Sequence, residues 1–208
     1  TFDIDNPVEA GALSDVDVCI EFSTPQTVLQ NIRVAVQARK DIVVGTTGWY
    51  ERLPEIRPLV KDSGLLYSPN FSIGVNMVFR LATAAAEMMN NAPAYDPYIH
   101  EWHHRQKADS PSGTALRLAE ILLSKVERKK TIKKENVDGK IDPAALHVSS
   151  TRVGTVPGTH ILGFESDADS IENKHVAKTR RGFALGAVRA AQWLKGRKGV
   201  YTMDDVEL

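Results

Sequence analysis

The chain has 208 residues, of which 42% are hydrophobic and 25% are charged, a composition typical of a globular protein with a sizeable core. Lysine plus arginine equals aspartate plus glutamate, at 26 each, so no global field attracts nucleic acid or an anionic membrane. No apolar run approaches the roughly 18 residues of a transmembrane helix, and the N-terminus carries no signal-peptide core, so we expect a cytoplasmic protein with no membrane partner.

Short apolar runs alternate with amphipathic segments in the first third of the chain, which predicts parallel strands joined by helices. Residues 16–22 are expected to form a buried strand, with the single cysteine, Cys19, as a small buried hydrophobe. A lone cysteine excludes an intramolecular disulfide framework and suits a reducing compartment. The elements expected next are a polar cap at 23–25, a helix to about Arg39, a strand at 41–44, a helix over 51–63 and a strand at 65–67.

Each of these three strands ends in a loop of small, hydroxyl-bearing or glycine residues. The loops are Ser23-Thr24-Pro25, Gly45-Thr46-Thr47-Gly48 and Ser68-Pro69-Asn70-Phe71. Ligands of parallel sheets bind outside the carboxyl ends of the strands, so the loops together predict a site for a phosphate or a flat ring. Asn70 could offer an amide there and Phe71 an apolar wall. Taken singly, each loop is better explained as a tight turn with a helix cap.

The second part of the chain carries a mixture of helix and strand signals, which indicates a separate domain over roughly residues 72–180. Its predicted elements are a long amphipathic helix over 73–90, strands at 98–102, 147–153, 160–165 and 171–177, and a helix from 114 to about 126. The last two strands are expected to form a hairpin through Asp167-Ala168-Asp169. A final helix is expected over 182–195.

Two local features of this second domain are also predicted. Ser110 or Ser112 should cap the helix that starts near residue 114, with Pro111 in its first turn. The segment 127–143 is rich in lysine and glutamate and should be a solvated connection. Its two lysine pairs, Lys129-Lys130 and Lys133-Lys134, are expected on the surface.

The stretch from Glu101 to Ala115 combines proton-transfer groups with the start of a helix. A histidine such as His103 can give or take a proton at neutral pH, and Lys107 is a cation that can donate to a developing negative charge. The free amides around the helix start could hold a carboxylate or phosphate, and they belong to Ser112, Gly113 and Thr114. Together these residues predict an active site.

The backbone conformation of this stretch decides which side chains it presents together. In a strand His103 and His104 would point to opposite faces, whereas a turn after the strand could present both. In a helical turn, His103 and Lys107 would share a face.

Other reaction classes fit the stretch less well. His103 and His104 with Glu101 and Asp109 could suggest a metal site, but the two histidines are not one helical turn apart and no second cluster completes a ligand set, so no metal is expected. Ser110 and Ser112 lack the context of a nucleophile elbow, which argues against a hydrolase triad.

The segment 101–115 resembles the signature of the 4-hydroxy-tetrahydrodipicolinate reductase (dihydrodipicolinate reductase) family of the diaminopimelate route to lysine. The resemblance extends over almost the whole chain, through the segments 21–25, 45–48, 69–76, 152–154, 156–160 and 183–188. It implies an α/β protein with a partial Rossmann-like parallel-sheet nucleotide domain, formed by residues 1–71 and 181–208. It also implies an α+β substrate and tetramerisation domain with a mixed sheet, formed by residues 72–180.

The resemblance further implies hydride transfer from NADH or NADPH to a small cyclic dicarboxylic acid after loss of water. His103 would be the proton donor or acceptor and Lys107 the other proton donor, while His104 and the amides of Gly113 and Thr114 would bind the substrate carboxylates. The nicotinamide would be lined by Gly45, Thr46, Thr47, Ser68, Pro69, Asn70 and Phe71, with Arg180 nearby. The family also implies a homotetramer assembled through the strand-rich second domain.

The sequence departs from the family pattern in two ways. Gln106 and Ser110 stand where the family often has histidine and alanine, and neither change removes a proposed acid, base or carboxylate-binding amide. The family also opens with a strand and a G-x-x-G-x-x-G loop for the cofactor pyrophosphate, which residues 1–208 do not contain. The first βαβ unit is therefore expected to be missing here, and the choice between NADH and NADPH stays open because the selecting residues would lie there.

Two hypotheses follow from this departure. The favoured one is that the chain, which begins at Thr1 rather than at a methionine, is part of an active reductase. The alternative is a shortened homologue that binds a dicarboxylate or only assembles, without hydride transfer.

Overall fold

The computed structural model describes residues 1–3, 5–134 and 136–207. These residues divide into two units, one formed by Thr1–Ile73 with Arg181–Leu208 and the other by Gly74–Arg180. The strands are β1 (Val18–Glu21), β2 (Asp41–Val44), β3 (Gly64–Tyr67), β4 (Asp96–His103), β5 (Thr131–Lys133), β6 (Ala145–Arg152), β7 (Thr159–Glu165), β8 (Ser170–Val176) and β9 (Gly199–Tyr201). The α-helices are α1 (Val28–Gln37), α2 (Leu53–Ile56), α3 (Ile73–Asn90), α4 (Gly113–Lys125) and α5 (Arg181–Leu194).

The first unit contains a parallel sheet in the order β1-β2-β3-β9. Strand β2 lies inside this sheet, which is why all four of its residues are buried. The predicted parallel α/β arrangement is confirmed. The three-residue strand β9 was not predicted, because so short a run has no periodicity of its own.

Strand β1 differs from the prediction of a buried strand, since it pairs only with β2 in the described sheet. Ile20 at its centre is 46% exposed, and Cys19 is half-buried rather than buried. Burial is still sufficient to raise the pKa of the Cys19 thiol. Cys19 is therefore less buried than predicted.

Two helices of the first unit differ from their predictions, one in its first residue and one in its length. The expected cap at 23–25 is wrong: α1 begins at Val28, after a turn in which the Thr24 carbonyl accepts from the amides of Thr27 and Val28. The helix expected over 51–63 is instead a single α-helical turn, α2, between two 3-10 turns. Pro54 and Pro58 explain the interruption, because each fits the start of a helical turn but has no amide to continue the hydrogen bonds of the preceding one.

The Asp41 carboxylate ties together three parts of the first unit. Its two oxygens accept from the amide of Gly64 at 2.7 Å and from the amide of Gly196 at 2.7 Å. Asp41 opens β2, Gly64 opens β3 and Gly196 follows α5. Gly64 lies between the predicted helix over 51–63 and the predicted strand at 65–67, and in the structure it is the first residue of that strand.

The second unit contains a mixed sheet in the order β5-β6-β4-β7-β8, as predicted for this part of the chain. Strand β4 lies at its centre, parallel to β6 and antiparallel to β7. Helices α3 and α4 pack on one face through apolar residues, among them Val78, Ala82, Ala86, Leu118, Leu122, Ile99, Val148 and Leu162. Helix α3 has the predicted bounds, and the predicted hairpin of β7 and β8 is confirmed.

The segment 127–143 was expected to be solvated, and this expectation is partly wrong. It contains the short strand β5, and residue 135 lies outside the described residues. Lys129 is only 3% exposed, because its ammonium lies 2.6 Å from the Asp96 carboxylate and donates to the carbonyls of Pro143 and Ala145. Its neighbour Lys130 is exposed as predicted.

No helix among the described residues combines the length and the hydropathy required to cross a membrane.

Candidate active site at the end of the central strand

Strand β4 places its alternate residues on the side that faces the helices. Ile99 belongs to the core, and Glu101 and His103 continue the same face toward the carboxyl end of the strand. Register brings Ser150 of β6 opposite Glu101 on one side and His160 of β7 opposite it on the other. A row of polar side chains therefore crosses three neighbouring strands at the end of the hydrophobic core.

Glu101 is the centre of this polar row and is fully buried. One carboxylate oxygen accepts from the Ser112 amide at 3.0 Å, from the Ser150 hydroxyl at 2.9 Å and from Arg152 at 3.0 Å. The other accepts from the Ser112 hydroxyl and lies 3.5 Å from Nε2 of His160. Burial by itself would raise the pKa of Glu101, but the hydrogen bonds from His160, Ser112 and Ser150 outweigh it and hold the pKa far below its usual range.

His103 ends the strand and is 7% exposed. Its Nδ1 lies 3.3 Å from the second Glu101 oxygen, without the alignment of a good hydrogen bond, and its ring centroid lies 5.1 Å from that of His160. Burial lowers the pKa of His103 to about 4, because the attraction of Glu101 only partly offsets the loss of hydration. His103 is therefore a neutral imidazole at neutral pH, which is the form that accepts a proton.

The other ring nitrogen of His103 faces the loop before β7. A side-chain carbon built on Gly158 would lie 3.1 Å from Nε2, which is a tighter contact than side chains normally make. Glycine at this position therefore keeps the imidazole face clear.

A turn follows the strand, which settles the conformation left open by the sequence. The Lys107 amide donates to the His104 carbonyl at 3.1 Å, and the Arg105 amide donates to the Gly154 carbonyl at 3.3 Å. His104 and Lys107 are both partly exposed in this turn. The Lys107 ammonium donates to the Asp109 carboxylate at 2.5 Å. Desolvation acts to raise the pKa of Asp109, but the bond from Lys107 dominates and lowers it.

The start of α4 completes the candidate site. Ser112 is the N-cap, as one of the two predicted alternatives, and its hydroxyl accepts from the Ala115 amide at 3.2 Å. Pro111 is not in the first helical turn as expected, since it precedes the cap and is joined to Ser110 by a cis peptide bond. The Ser112 amide was expected to be free for an anion, and this is wrong because it donates to Glu101. Gly113, the next residue, is exposed.

In the first unit, the loops after β1 and β2 come together at the carboxyl edge of the sheet. A side-chain carbon on Gly45 would overlap the ring of Phe22 at 2.1 Å, so a larger residue would displace this exposed ring. The Ser23 amide of the first loop donates to its own strand, at 3.0 Å from the Glu21 carboxylate. Thr47 is exposed, whereas the Thr46 hydroxyl is buried without a hydrogen-bond partner among the described residues.

The loop after β3 is held by its own hydrogen bonds. The Ser68 hydroxyl donates to the Asn70 carbonyl at 2.9 Å, and the Asn70 side-chain oxygen accepts from the Ser72 amide at 2.9 Å. Phe71 is 1% exposed and packs in the core with α5, so its ring is not the exposed wall that the sequence suggested. The exposed ring is Phe22, whose centroid lies 5.9 Å from that of Phe71. Pro69 is exposed beside them.

Arg180, the last predicted cofactor residue, lies in an exposed turn directly before α5. Its part in a cofactor site stays a prediction.

The loops described above show that the first unit has the small residues and the close glycine that a flat cofactor ring requires, and an unpaired buried hydroxyl that a ligand could engage.

Sequence reasoning gave no role to Ser150, Arg152 or His160, because a motif within one strand does not show which residues face it from the neighbouring strands. Glu101, His103 and His160 also present ligand atoms within 4.8 Å of one another, a geometry that a metal ion could use. Both Glu101 oxygens already accept hydrogen bonds from protein donors, whereas Nδ1 of His103 and Nδ1 of His160 have no hydrogen-bond partner among the described residues.

Comparison with known proteins identifies the family. The family model "Dihydrodipicolinate reductase, N-terminus" matches residues 4–71, and "Dihydrodipicolinate reductase, C-terminus" matches residues 74–206. A 4-hydroxy-tetrahydrodipicolinate reductase of Christiangramia forsetii is 42% identical, over 99% of this chain and 86% of that protein. One from Neisseria gonorrhoeae is 36% identical, over 98% of this chain and 76% of that protein.

A solved structure shows the same fold. It is a dipicolinate-bound dihydrodipicolinate reductase from Paenisporosarcina sp. TG-14, with a TM-score of 0.77, 24% identity, and coverage of 94% of this chain and 76% of that chain. The resemblance drawn from the motif at residues 101–115 is thus confirmed by independent matches to both units. The chain belongs to the dihydrodipicolinate reductase family.

Proposed function

We propose that this chain catalyses the NADH- or NADPH-dependent reduction of 4-hydroxy-tetrahydrodipicolinate to tetrahydrodipicolinate, in the diaminopimelate route to lysine. The observation that carries the proposal is the family relationship, which spans 98% or more of the chain at 36–42% identity. The proton-transfer residues and the exposed helix start of the second unit are present with it. This supports an active reductase over the alternative of a homologue that only binds a dicarboxylate or assembles.

The substrate carboxylates are proposed to bind at His104 and at the start of α4. Gly113 is exposed, and the N-terminus of a helix of 13 residues carries a partial positive charge that favours an anion. Thr114 would contribute the following amide. Ser112 holds the start of α4 in place, because its amide and hydroxyl both donate to Glu101.

The reaction releases water and consumes one hydride and one proton for each substrate molecule. When bound, the nicotinamide cofactor supplies the hydride. The two electrons that the hydride brings to the substrate ring must be matched by a proton, and Lys107 is the cationic donor for it. His103 is neutral at neutral pH and can take up a proton, and bound carboxylates would raise its pKa and favour that uptake.

The loops of the first unit are proposed to hold the nicotinamide. Gly45 provides the close backbone approach, Thr46 a buried hydroxyl, and Thr47 an exposed one. The loop Ser68-Pro69-Asn70-Phe71 would line the same edge, with the Phe71 ring acting from the core rather than as a contact surface. Arg180 is proposed to contribute its cation.

We further propose a cytoplasmic homotetramer assembled through the sheet of the second unit. The face of this sheet opposite α3 and α4 presents partly exposed aromatic rings, those of Tyr98, His100 and Trp102. The edge strand β8 adds the exposed apolar side chain of Val176 to this face, since Val176 pairs with Thr159 and Thr159 with Trp102. The lysine-biosynthetic activity of the relatives and the free cysteine support the cytoplasmic location.

The test of function is oxidation of NADH and of NADPH in the presence of freshly generated substrate. The wild-type chain should consume cofactor only when the substrate is present, and His103→Ala and Lys107→Ala should each lower kcat by about 10²-fold or more. Wild-type turnover in both variants would overturn the assigned roles. Cofactor consumption that does not depend on the substrate would overturn the proposed reaction, and a chain that binds dicarboxylate without turnover would support the alternative.

A further inference from the structure

We propose that Glu101 is a positioning residue for the reaction, whose buried carboxylate holds His103 and the start of α4 in their working geometry. The inference rests on the proposed function for its kinetic consequence, but the geometry that carries it is a property of the second unit alone. Glu101 has no exposed surface, so it acts on a substrate only through the residues that it binds.

The carboxylate connects four elements of the second unit. It belongs to β4, it accepts from Ser150 and Arg152 of β6, it lies beside His160 of β7, and it accepts from Ser112 at the cap of α4. Arg152 also donates to the Asp109 carbonyl at 2.6 Å, which ties the same network to the turn that carries Lys107. Both the proposed proton-transfer residues and the proposed anion site therefore depend on one side chain.

A charged carboxylate suits this position because its oxygens accept from several groups, two of which, the Ser112 amide and the Arg152 guanidinium, can only donate. Its first oxygen receives an amide N–H, a hydroxyl and a guanidinium, and its second receives a hydroxyl and faces two imidazoles. A glutamine has one acceptor oxygen and one donor NH2 group. Glutamine would have to keep its oxygen toward the Ser112 amide and Arg152, so its NH2 group would face the Ser112 hydroxyl and the two imidazoles and would donate best to a ring nitrogen that carries no proton.

The contact with His103 determines which ring nitrogen of the imidazole can accept a proton. A carboxylate beside Nδ1 favours the tautomer that carries its proton on Nδ1, which leaves the Nε2 lone pair on the side of Gly158. The 3.3 Å separation lacks good alignment in the free protein, as is common for catalytic contacts that tighten on binding. Glu101 thus presents Nε2 as the proton acceptor.

The charged and titratable groups that face His103 act in known directions. Glu101 raises its pKa, whereas His160, Lys107 and Arg152 lower it, and burial has the largest effect. Removing the negative charge of Glu101 should therefore lower the His103 pKa further and reduce the share of the Nδ1-protonated tautomer. A residue that only fills space would change neither property.

The experiment compares Glu101→Gln with Glu120→Gln, the same substitution at an exposed position on α4. We expect Glu101→Gln to lower kcat by about 10²-fold, the effect of misplacing reacting groups by roughly 1 Å, and to leave the cofactor Kd within about twofold. Nitrogen NMR of histidine-labelled protein should show a smaller Nδ1-protonated fraction for His103. Glu120→Gln should match the wild type in every measurement.

Ser150→Ala provides a second test in case Glu101→Gln does not fold. It removes only one donor to the Glu101 carboxylate, and Ser150 is partly exposed. We expect it to change the His103 nitrogen signals and to lower kcat about threefold, roughly 0.7 kcal/mol in barrier height. Wild-type kcat together with unchanged His103 signals, in Glu101→Gln or in a folded Ser150→Ala, would overturn the positioning role. If the wild-type chain does not reduce the substrate, the proposed function fails, while the His103 tautomer still decides the role of Glu101.

Discussion

The Lys107 ammonium lies 2.5 Å from the carboxylate of Asp109, so the proposed proton donor is held by a residue two positions further along the chain. Asp109→Asn removes this charge and leaves the ammonium to move in the turn. We expect kcat to fall about tenfold, equivalent to roughly 1.4 kcal/mol in the barrier, as measured by cofactor oxidation. Stability should change by less than about 1 kcal/mol, because the pair is partly exposed.

The control for this prediction is Asp167→Asn, an exposed aspartate in the turn between β7 and β8. It should leave kcat at the wild-type value. If Asp109→Asn retains full kcat, then the ion pair has no part in positioning Lys107.

Acid is expected to weaken the fold through His103. Its pKa is about 4 in the folded protein and about 6.5 in an unfolded chain, so the unfolded state binds the proton first as the pH falls. The stabilisation is complete above about pH 6.5 and is lost progressively toward about pH 4, a total of about 3 kcal/mol. Glu101, whose pKa is lowered on folding, adds a further loss below its unfolded value near 4.5.

The measurement is the free energy of unfolding in urea at about pH 7 and about pH 5. His103→Gln should lose about 2 kcal/mol less than the wild type between these conditions. His100 and His175 also have pKa values lowered by burial and weaken the fold in the same direction, so the variant should keep part of the pH dependence. An identical pH dependence in the variant and the wild type would exclude His103 as a contributor.

Gly158 is expected to be required for activity as well as for stability, because its φ of +156° is a conformation that residues with a side chain rarely adopt. In Gly158→Ala the new methyl group would lie 3.1 Å from Nε2 of His103 and would displace the imidazole. We expect kcat to fall about tenfold, roughly 1.4 kcal/mol in the barrier, with unchanged cofactor affinity. Gly139→Ala is the matched control, since Gly139 also has a positive φ, +82°, and no atom lies within 4 Å of the added carbon there. Equal kcat in the two variants would contradict the prediction.

Lys129 and Lys130 offer a test of burial at neighbouring positions. Lys129→Met leaves the carbonyls of Pro143 and Ala145 without their donor and should lower the free energy of unfolding by about 1–3 kcal/mol. Lys130→Met changes an exposed side chain and should cost less than about 0.5 kcal/mol. Thermal and urea unfolding of both variants would check this, and equal losses would show that the buried contacts contribute nothing.

Much of the architecture was predictable because hydrophobic periodicity is a local property. Helix α3 was predicted with its observed bounds, and the mixed sheet followed from the strand signals and the hairpin turn. The helix expected over 51–63 failed for an equally local reason, since Pro54 and Pro58 outweigh the apolar spacing around them. The prediction that Lys129 lies on the surface was wrong because its burial depends on Asp96 and on carbonyls from another part of the chain.

The candidate site was predictable only along the strand that carries it. The presence of His103 and Lys107 in one short stretch pointed to proton transfer, and the Ser-Gly-Thr sequence pointed to an anion at a helix start. The role of Glu101 emerged only with the structure, because the register of β4 with β6 and β7 brings in Ser150, Arg152 and His160. For the same reason the Ser112 amide was expected to be free for an anion and was found to donate to Glu101.

The indole of Trp49 makes the loop after β2 directly observable by spectroscopy. Trp49 is buried, and its ring N–H donates to the Thr46 carbonyl at 2.8 Å. A nicotinamide that engages this loop would shift the indole N–H resonance without any turnover. Trp102 lies on β4 in the other unit, on the sheet face proposed for assembly, so its indole signal follows subunit association. One spectrum of the unmodified chain can thus record cofactor entry and assembly as two distinct events.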